Sequence, residues 1–234
     1  MDFLFSCFVE GEHTVILVIY GAGGLGREVY DTAIAQLKPE WSRIVFVDDF
    51  NFDRQLNGVD VVNFSKLVTN VGLDNLKVIL GIGEPSVRAE IWERIISLHG
   101  AGSDVFTSVV HPTAIISTKC QIGNGVYIGP FSFVSSNVVL EDNVLLQPHT
   151  IVGHDSRIGS SSVISPNCTV AGSCQIGQRT YIGMNACVEQ GRIIGDDVMI
   201  GMTSCVNRDI PSGVIALGIP ARVVKNNETK RIFS

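Results

Sequence analysis

The sequence predicts two parts of different class: an α/β N-terminal domain of Rossmann type, and an all-β parallel helix built from six-residue repeats. Three observations carry this. An aliphatic side chain recurs at every sixth position from Val110 to Val206 without an insertion. A buried-strand pattern at residues 15–20 runs straight into Gly21-Ala22-Gly23-Gly24-Leu25-Gly26. Strand and helix patterns then alternate as far as residue 105, the signature of a parallel sheet.

The repeat is the stronger signal. All seventeen positions in the series are Val, Ile or Leu, residues that fill 69 of the 234 positions. A chance match has a probability on the order of 10⁻⁹. Four places after each aliphatic the residue is usually small or β-branched, as at Ala114, Cys120, Val126, Thr150, Ser162 and Cys168; Arg192 is the exception. A period of six excludes an amphipathic helix, whose apolar face recurs every three to four residues. It fits the two-residue alternation of a strand, provided that the chain turns a corner once per repeat. Glycine follows the aliphatic in eight of the seventeen repeats and marks those corners. Three flat sides close one coil of eighteen residues, and coils stack at about the 4.8 Å strand spacing. The series gives nearly six coils.

In the first hundred residues, the glycine-rich segment is a complete G-x-G-x-x-G with a strand before it and a helical stretch at 27–37 behind it. Such glycines allow a tight turn and close approach of a phosphate to the free N–H groups of a helix N-terminus. A second strand at 43–47 ends in Asp48-Asp49, acids placed to accept from a ribose or a base. A third strand at 77–81, a helix at 87–98 and a last strand near Val105 complete the reading. About a hundred residues make one mononucleotide half, too few for the two halves that a dinucleotide spans. The ligand that fits has one nucleoside and a diphosphate, as a nucleotide-activated sugar has. The expected division is residues 1–108 for nucleotide-sugar binding and 109–234 for the β-helix.

Composition sets the remaining limits. The formal charge is −6, with no cluster of Lys and Arg, which argues against nucleic acid. The longest N-terminal apolar run is far short of the roughly 20 residues of a membrane span, and Arg27 is the first basic side chain. Cysteines at 7, 120, 168, 174, 187 and 205 form no Cys-x-x-Cys pair, so they read as buried thiols of a reducing compartment. The expected location is cytoplasmic.

Taken together, Gly21–Gly26, Phe46-Val47-Asp48-Asp49, Gly81-Ile82-Gly83, His111-Pro112-Thr113-Ala114, Val152-Gly153-His154-Asp155 and Gly218-Ile219-Pro220-Ala221-Arg222 give the chain a family resemblance. It resembles the bacterial hexapeptide-repeat sugar acetyltransferases, a group that includes sialic acid O-acetyltransferase-like proteins and the N-acetyltransferases of nucleotide-linked 4-amino-4,6-dideoxy sugars. The resemblance implies a left-handed β-helix, a homotrimer, a nucleotide sugar held by the N-terminal domain and acetyl-CoA lying between neighbouring β-helices. It implies N-acetylation of a 4-amino sugar for surface polysaccharide or glycan biosynthesis, with O-acetylation of sialic acid or another sugar as the alternative. His154 takes the role of general base, Asp155 its orienting carboxylate, and Gly172 the N–H donor to the acetyl carbonyl.

The period supports part of this. One full coil beyond His154 is Gly172, where a glycine leaves room for a thioester. Asp155 can orient the imidazole only if the chain turns a corner there, since neighbours on a strand point to opposite faces. Met184 and Met202 are carried over as lining the acetyl-CoA channel, and Arg222 and Lys225 as meeting its phosphates. Gly23, Gly24, Leu25, Asp48, Asp49 and Gly83 are the expected acceptor contacts. Two family histidines are replaced: Val163 stands nine residues after His154, and Leu25 stands in the glycine-rich loop. Of the other histidines, His13 and His99 read as surface residues, His111 as a turn residue, and His149 as a side or corner residue. With only His111, His149 and His154 near the β-helix, no metal site is expected. A non-catalytic scaffold and an NAD-linked oxidoreductase are the competing classes; the latter lacks a second nucleotide half.

Overall fold

A computed structural model describes residues 15–36, 41–98 and 103–232; His13 and His99 lie outside them. The α/β part contains β1 (Ile16–Tyr20), α1 (Gly24–Ala35), β2 (Arg43–Val47), β3 (Arg54–Leu56), β4 (Val59–Val62), α2 (Phe64–Val71), β5 (Leu76–Leu80) and α3 (Pro85–Ser97). The sheet order is β3-β4-β2-β1-β5, parallel except for the β3–β4 hairpin. Asn57 and Gly58 both take positive φ at its turn, the pair that a two-residue hairpin requires. β1 is fully buried, which explains its uninterrupted apolar run. The strand expected near Val105 is instead a short 3₁₀ turn, Ser103–Val105, followed by a single bridge from Phe106 to Val78.

The rest is the left-handed β-helix. Two-residue strands recur every six residues from Val109–Val110 to Cys205–Val206, each ending on the aliphatic of the series. They stack in parallel with an eighteen-residue register, as in Val134, Val152 and Val170. The first face carries Val109, Tyr127, Leu145 and Val163 as its outward residues; the second, Ile115, Phe133 and Ile151; the third, Gln121, Val139 and Arg157. The small residues point inward, and their hydroxyls donate to carbonyls of the next coil: Ser162 to Gly177 at 2.7 Å, Thr180 to Gly195 at 2.8 Å. These bonds satisfy polar groups that the core would otherwise strand. Arg192 turns outward and pairs with Glu189 and Asp209.

The corners differ from the sequence expectation. The left-handed residue falls two places after the glycine slot, at every sixth position from Gly125 to Thr203, and it is mostly Asn, Asp or Ser. The glycines serve clearance instead: a Cβ on Gly153 would lie 2.5 Å from the amide nitrogen of Gly172 in the next coil.

One surface of the sheet packs α2 and α3. The other packs α1 and the first face of the β-helix, so that Leu17, Ile19, Val29, Tyr127, Leu145 and Val163 share one core. Tyr127 is fully buried there, and its hydroxyl finds Thr32 Oγ1 at 3.0 Å. Arg88 of α3 is also fully buried in this contact. Its Nη1 donates to Leu80 O and Ile82 O, both at 2.9 Å; Nε and Nη2 donate to Asn143 O, and Nη2 to Asn143 Oδ1 at 2.6 Å. Beyond the coils, Val214–Leu217 extends the first face and Arg222–Asn226 pairs antiparallel beside it. The chain then returns to α3, where Glu84 accepts from the Ile232 amide. Among the described residues no helix is long and apolar enough to cross a membrane.

Candidate active site

His154 stands at the corner between the second and third faces. The next residue, Asp155, has φ +59°, so the chain does turn there. That turn brings the Asp155 carboxylate back to His154 Nδ1 at 2.8 Å. Asp155 also accepts from Asn137 Nδ2 at 2.9 Å, one coil below. The Asn137 amide first, and then His154, holds the Asp155 carboxyl below the usual carboxylate range. An ionised Asp155 accepts a hydrogen bond from Nδ1–H and leaves Nε2 with its lone pair, a tautomer assigned from the hydrogen bond.

The imidazole lies over Gly172. A Cβ there would sit 2.6 Å from His154 Nε2, so only glycine fits beneath the ring. On the edge between the third and first faces, carboxylates of the next coil cap the amide at this hexad position, as Asp142 caps Asn124 at 2.8 Å and Asp196 caps Gln178 at 2.9 Å. Among the described residues no acceptor engages the Gly172 amide. An imidazole with an open Nε2 and an unengaged N–H group thus meet at one solvent-facing corner, with the His154 side chain 55% exposed.

The second half of the candidate site is the carboxyl edge of the sheet. Gly23 and Gly24 are exposed at the N-terminus of α1, and a Cβ on Gly23 would meet nothing within 4 Å. The outer glycines do the packing: a Cβ on Gly26 would lie 1.9 Å from Gly21 O, and one on Gly81 would lie 2.7 Å from Gly26 Cα. Gly83 lies half-buried in the adjoining loop. Leu25 differs from the other expected contacts, for its side chain packs into the core shared with the β-helix. Asp48 uses Oδ1 to hold the amides of Phe50 and Asn51, both at 3.0 Å. Asp49 is drawn into a network with Tyr20 and with Arg94, the latter at 3.0 Å.

The expected acetyl-CoA contacts are not gathered around His154 within one chain. Met184 and Met202 lie exposed at the corner between the first and second faces, the far side of the second face from His154. Lys225 lines a cleft of about 530 Å³ beside Met199, Leu217 and Arg231. Arg222 reaches Asn207 Oδ1 at 3.3 Å. Val163 lies on the first face, buried beneath the α/β domain. His111 caps its own turn through Thr113, and His149 occupies a corner stacked on Phe131. Cys168 and Cys174 are buried, and burial raises both thiols. Among the described residues no group of three or more His, Cys, Asp or Glu side chains is gathered to hold a metal.

Asn137 is the site residue that sequence reading missed. The signal was available: it is the residue one coil before Asp155, found by the step that leads from His154 to Gly172.

Comparison with known proteins agrees with this architecture. Residues 16–95 match the PglD N-terminal domain, and residues 105–212 match the GMPPB C-terminal domain. No curated protein matches the sequence closely enough to count as a relative. The acetyltransferase domain of PglB from Neisseria gonorrhoeae, solved with acetyl coenzyme A, is 28% identical with a TM-score of 0.82, over 90% of this chain and 100% of that one. A histidine variant of perosamine N-acetyltransferase from Caulobacter crescentus, solved with CoA and GDP-perosamine, is 26% identical with a TM-score of 0.79, over 90% and 97% of the two chains. WeeI from Acinetobacter baumannii is 28% identical with a TM-score of 0.82, over 90% and 100%.

A left-handed β-helix joined to a half-Rossmann domain, here with an Asp155-oriented histidine at a corner, is the architecture that this chain shares with solved sugar acetyltransferases. Over about 90% of its length the chain is similar to the PglB and perosamine N-acetyltransferase structures, and its first part matches the PglD N-terminal domain.

Proposed function

We propose that the protein is an acetyl-CoA-dependent acetyltransferase of a nucleotide-activated sugar, and that it N-acetylates a 4-amino-4,6-dideoxy sugar. The observation that carries this is His154, oriented by Asp155 and seated over Gly172. The neutral amine of the acceptor attacks the thioester carbonyl while His154 Nε2 takes its proton. The Gly172 amide receives the developing oxyanion. As the tetrahedral intermediate collapses, the C–S bond breaks and the imidazolium returns the proton to the CoA thiolate. No acetyl-enzyme forms.

In this reading residues 1–108 bind the acceptor through Gly23, Gly24, Leu25, Asp48, Asp49 and Gly83. Residues 109–234 transfer the acetyl group, with Met184, Met202, Arg222 and Lys225 along the acetyl-CoA path. The working unit is a homotrimer, and its location is cytoplasmic. Two features support the trimer. The α/β domain covers the first face, whereas His154 is on the opposite edge of the prism. An acceptor held by one chain therefore meets the histidine of its neighbour. The second face also exposes an apolar column, Ile115, Phe133 and Ile151, at 65%, 42% and 42%.

The test is CoA release from acetyl-CoA across UDP-, dTDP-, GDP- and CMP-linked sugars, with 4-amino and all-hydroxyl forms compared. Release confined to a 4-amino sugar, with an alkali-stable product, is expected. An alkali-labile ester would assign O-acetylation. Silence across the whole panel, or a monomer by light scattering at micromolar concentration, would overturn the reading.

A further inference from the structure

Arg88 has no part in the chemistry above, yet among the described residues it is the largest fully buried side chain. A buried cation needs compensation. Here it comes from carbonyl oxygens alone: Leu80 O, Ile82 O, Asn143 O and Asn143 Oδ1. Five hydrogen bonds take up all five guanidinium N–H groups. Burial without a carboxylate pushes Arg88 down to about 9.

The acceptors lie on two bodies. Leu80 and Ile82 flank Gly81, and Gly81 supports the glycine-rich loop: its Cα hydrogens leave just the room that Gly26 fills, and a Cβ on Gly21 would lie 2.7 Å from Gly81 O. Asn143 is a left-handed corner of the β-helix, φ +60°, on the edge between the third and first faces. Its Nδ2 donates onward to Ser161 Oγ at 2.9 Å, so the corner is itself tied to the next coil.

We infer that Arg88 is a positioning residue of acceptor binding: it pins the loop at residues 80–83, and through Gly81 the phosphate cradle at residues 21–26, to the Asn143 corner of the β-helix. The cradle's angle to the prism is then set by a fork of fixed geometry in addition to the apolar core that the two parts share. In a shared active site that angle decides whether a tethered sugar amine reaches a neighbour's base. The inference rests on the proposed acceptor reading for its kinetic consequence, but not for the pinning itself.

Three variants test it. Asn143→Gly keeps the left-handed corner and removes Oδ1. Asn143→Asp keeps the corner and gives the guanidinium a carboxylate. Arg88→Lys keeps the charge and loses the fork. Amide hydrogen exchange at residues 80–84 of the whole protein should speed up about tenfold or more in Asn143→Gly and Arg88→Lys, and return to the wild-type rate in Asn143→Asp. Since the backbone oxygen of residue 143 still accepts from Nε and Nη2 in Asn143→Gly, the decisive variant is the one that loses the fork. Unchanged exchange at 80–84 in folded Arg88→Lys, or in Arg88→Gln should the lysine variant not fold, would overturn the pinning. With an acceptor in hand, Asn143→Gly should raise the acceptor KM about tenfold while the acetyl-CoA KM stays constant, and Asn143→Asp should rescue it. Equal changes in both KM values would assign Asn143 and Arg88 to general stability and overturn the positioning role. If wild-type protein turns over no nucleotide sugar while exchange at 80–84 responds as expected, the acceptor reading fails and the pinning stands.

Discussion

Two edges of the same prism use one backbone for opposite ends. On the edge between the third and first faces, polar side chains are paired coil by coil: Asn143 with Arg88 and Ser161, and Arg179 with Asp197 at 2.7 and 2.9 Å. On the edge between the second and third faces the ladder runs from Asn137 to Asp155 and stops at His154, above a glycine whose amide is unengaged. Both edges have left-handed corners with the same spacing. The two edges differ in how far their corner groups are paired, and the proposed chemistry falls on the less fully paired one.

Removing the proposed base is the largest break in that contrast. His154→Ala should lower kcat about 10²–10⁴-fold with acetyl-CoA affinity largely intact, measured with the true acceptor at neutral pH. Retained turnover would move the base elsewhere, with His149 the next residue to replace. A sharper comparison uses two glycines. Gly172→Ala places a methyl group against the His154 ring, and kcat should fall about 10²-fold through a misplaced imidazole. Gly159→Ala drives its methyl group into the backbone at Gln178 on the paired edge. It should cost about 1–3 kcal/mol of stability, read by denaturant unfolding, while kcat is kept.

Smaller effects follow from the two acids. Asn137→Gly removes the main group holding the Asp155 carboxyl low, so the acid limb of the pH–rate profile should move upward, with kcat about two- to tenfold lower. Asp197→Asn should cost about 1 kcal/mol at neutral pH. Arg179 depresses the Asp197 carboxyl in the folded state. That stabilisation is present above the unfolded carboxylate value and is lost as pH falls through the folded one. The wild type and Asp197→Asn should therefore converge in acid, and a gap that persists there would argue for a steric effect.

The β-helix was legible almost residue by residue because one inward aliphatic per side is the condition for closing each coil. Gly172 followed from His154 by the same count. What sequence could not give was any contact that leaves the period. Arg88 reads as an ordinary arginine on an amphipathic helix, and its burial depends on Asn143 arriving from another domain. Asp49 reads as an acceptor contact, but its network with Tyr20 and Arg94 joins residues too far apart in sequence to be read from it. The hairpin at Arg54–Leu56 and Val59–Val62 is legible only in the dipeptide Asn57-Gly58, since its strands are too short to show a period. The corners were assigned to glycine because glycine usually signals positive φ, whereas here it marks where one coil comes close to the next.

The uninterrupted eighteen-residue register also restricts how such a chain can change in length. Removing six residues between His154 and Gly172 would rotate everything above by one side of the triangle and carry Gly172 to another edge. Removing eighteen above the site, within 175–206, would shorten the prism by about 4.8 Å and leave His154 over Gly172. The molecule is thus quantised in whole coils. Its evolutionary history of insertion and deletion should be written in multiples of eighteen.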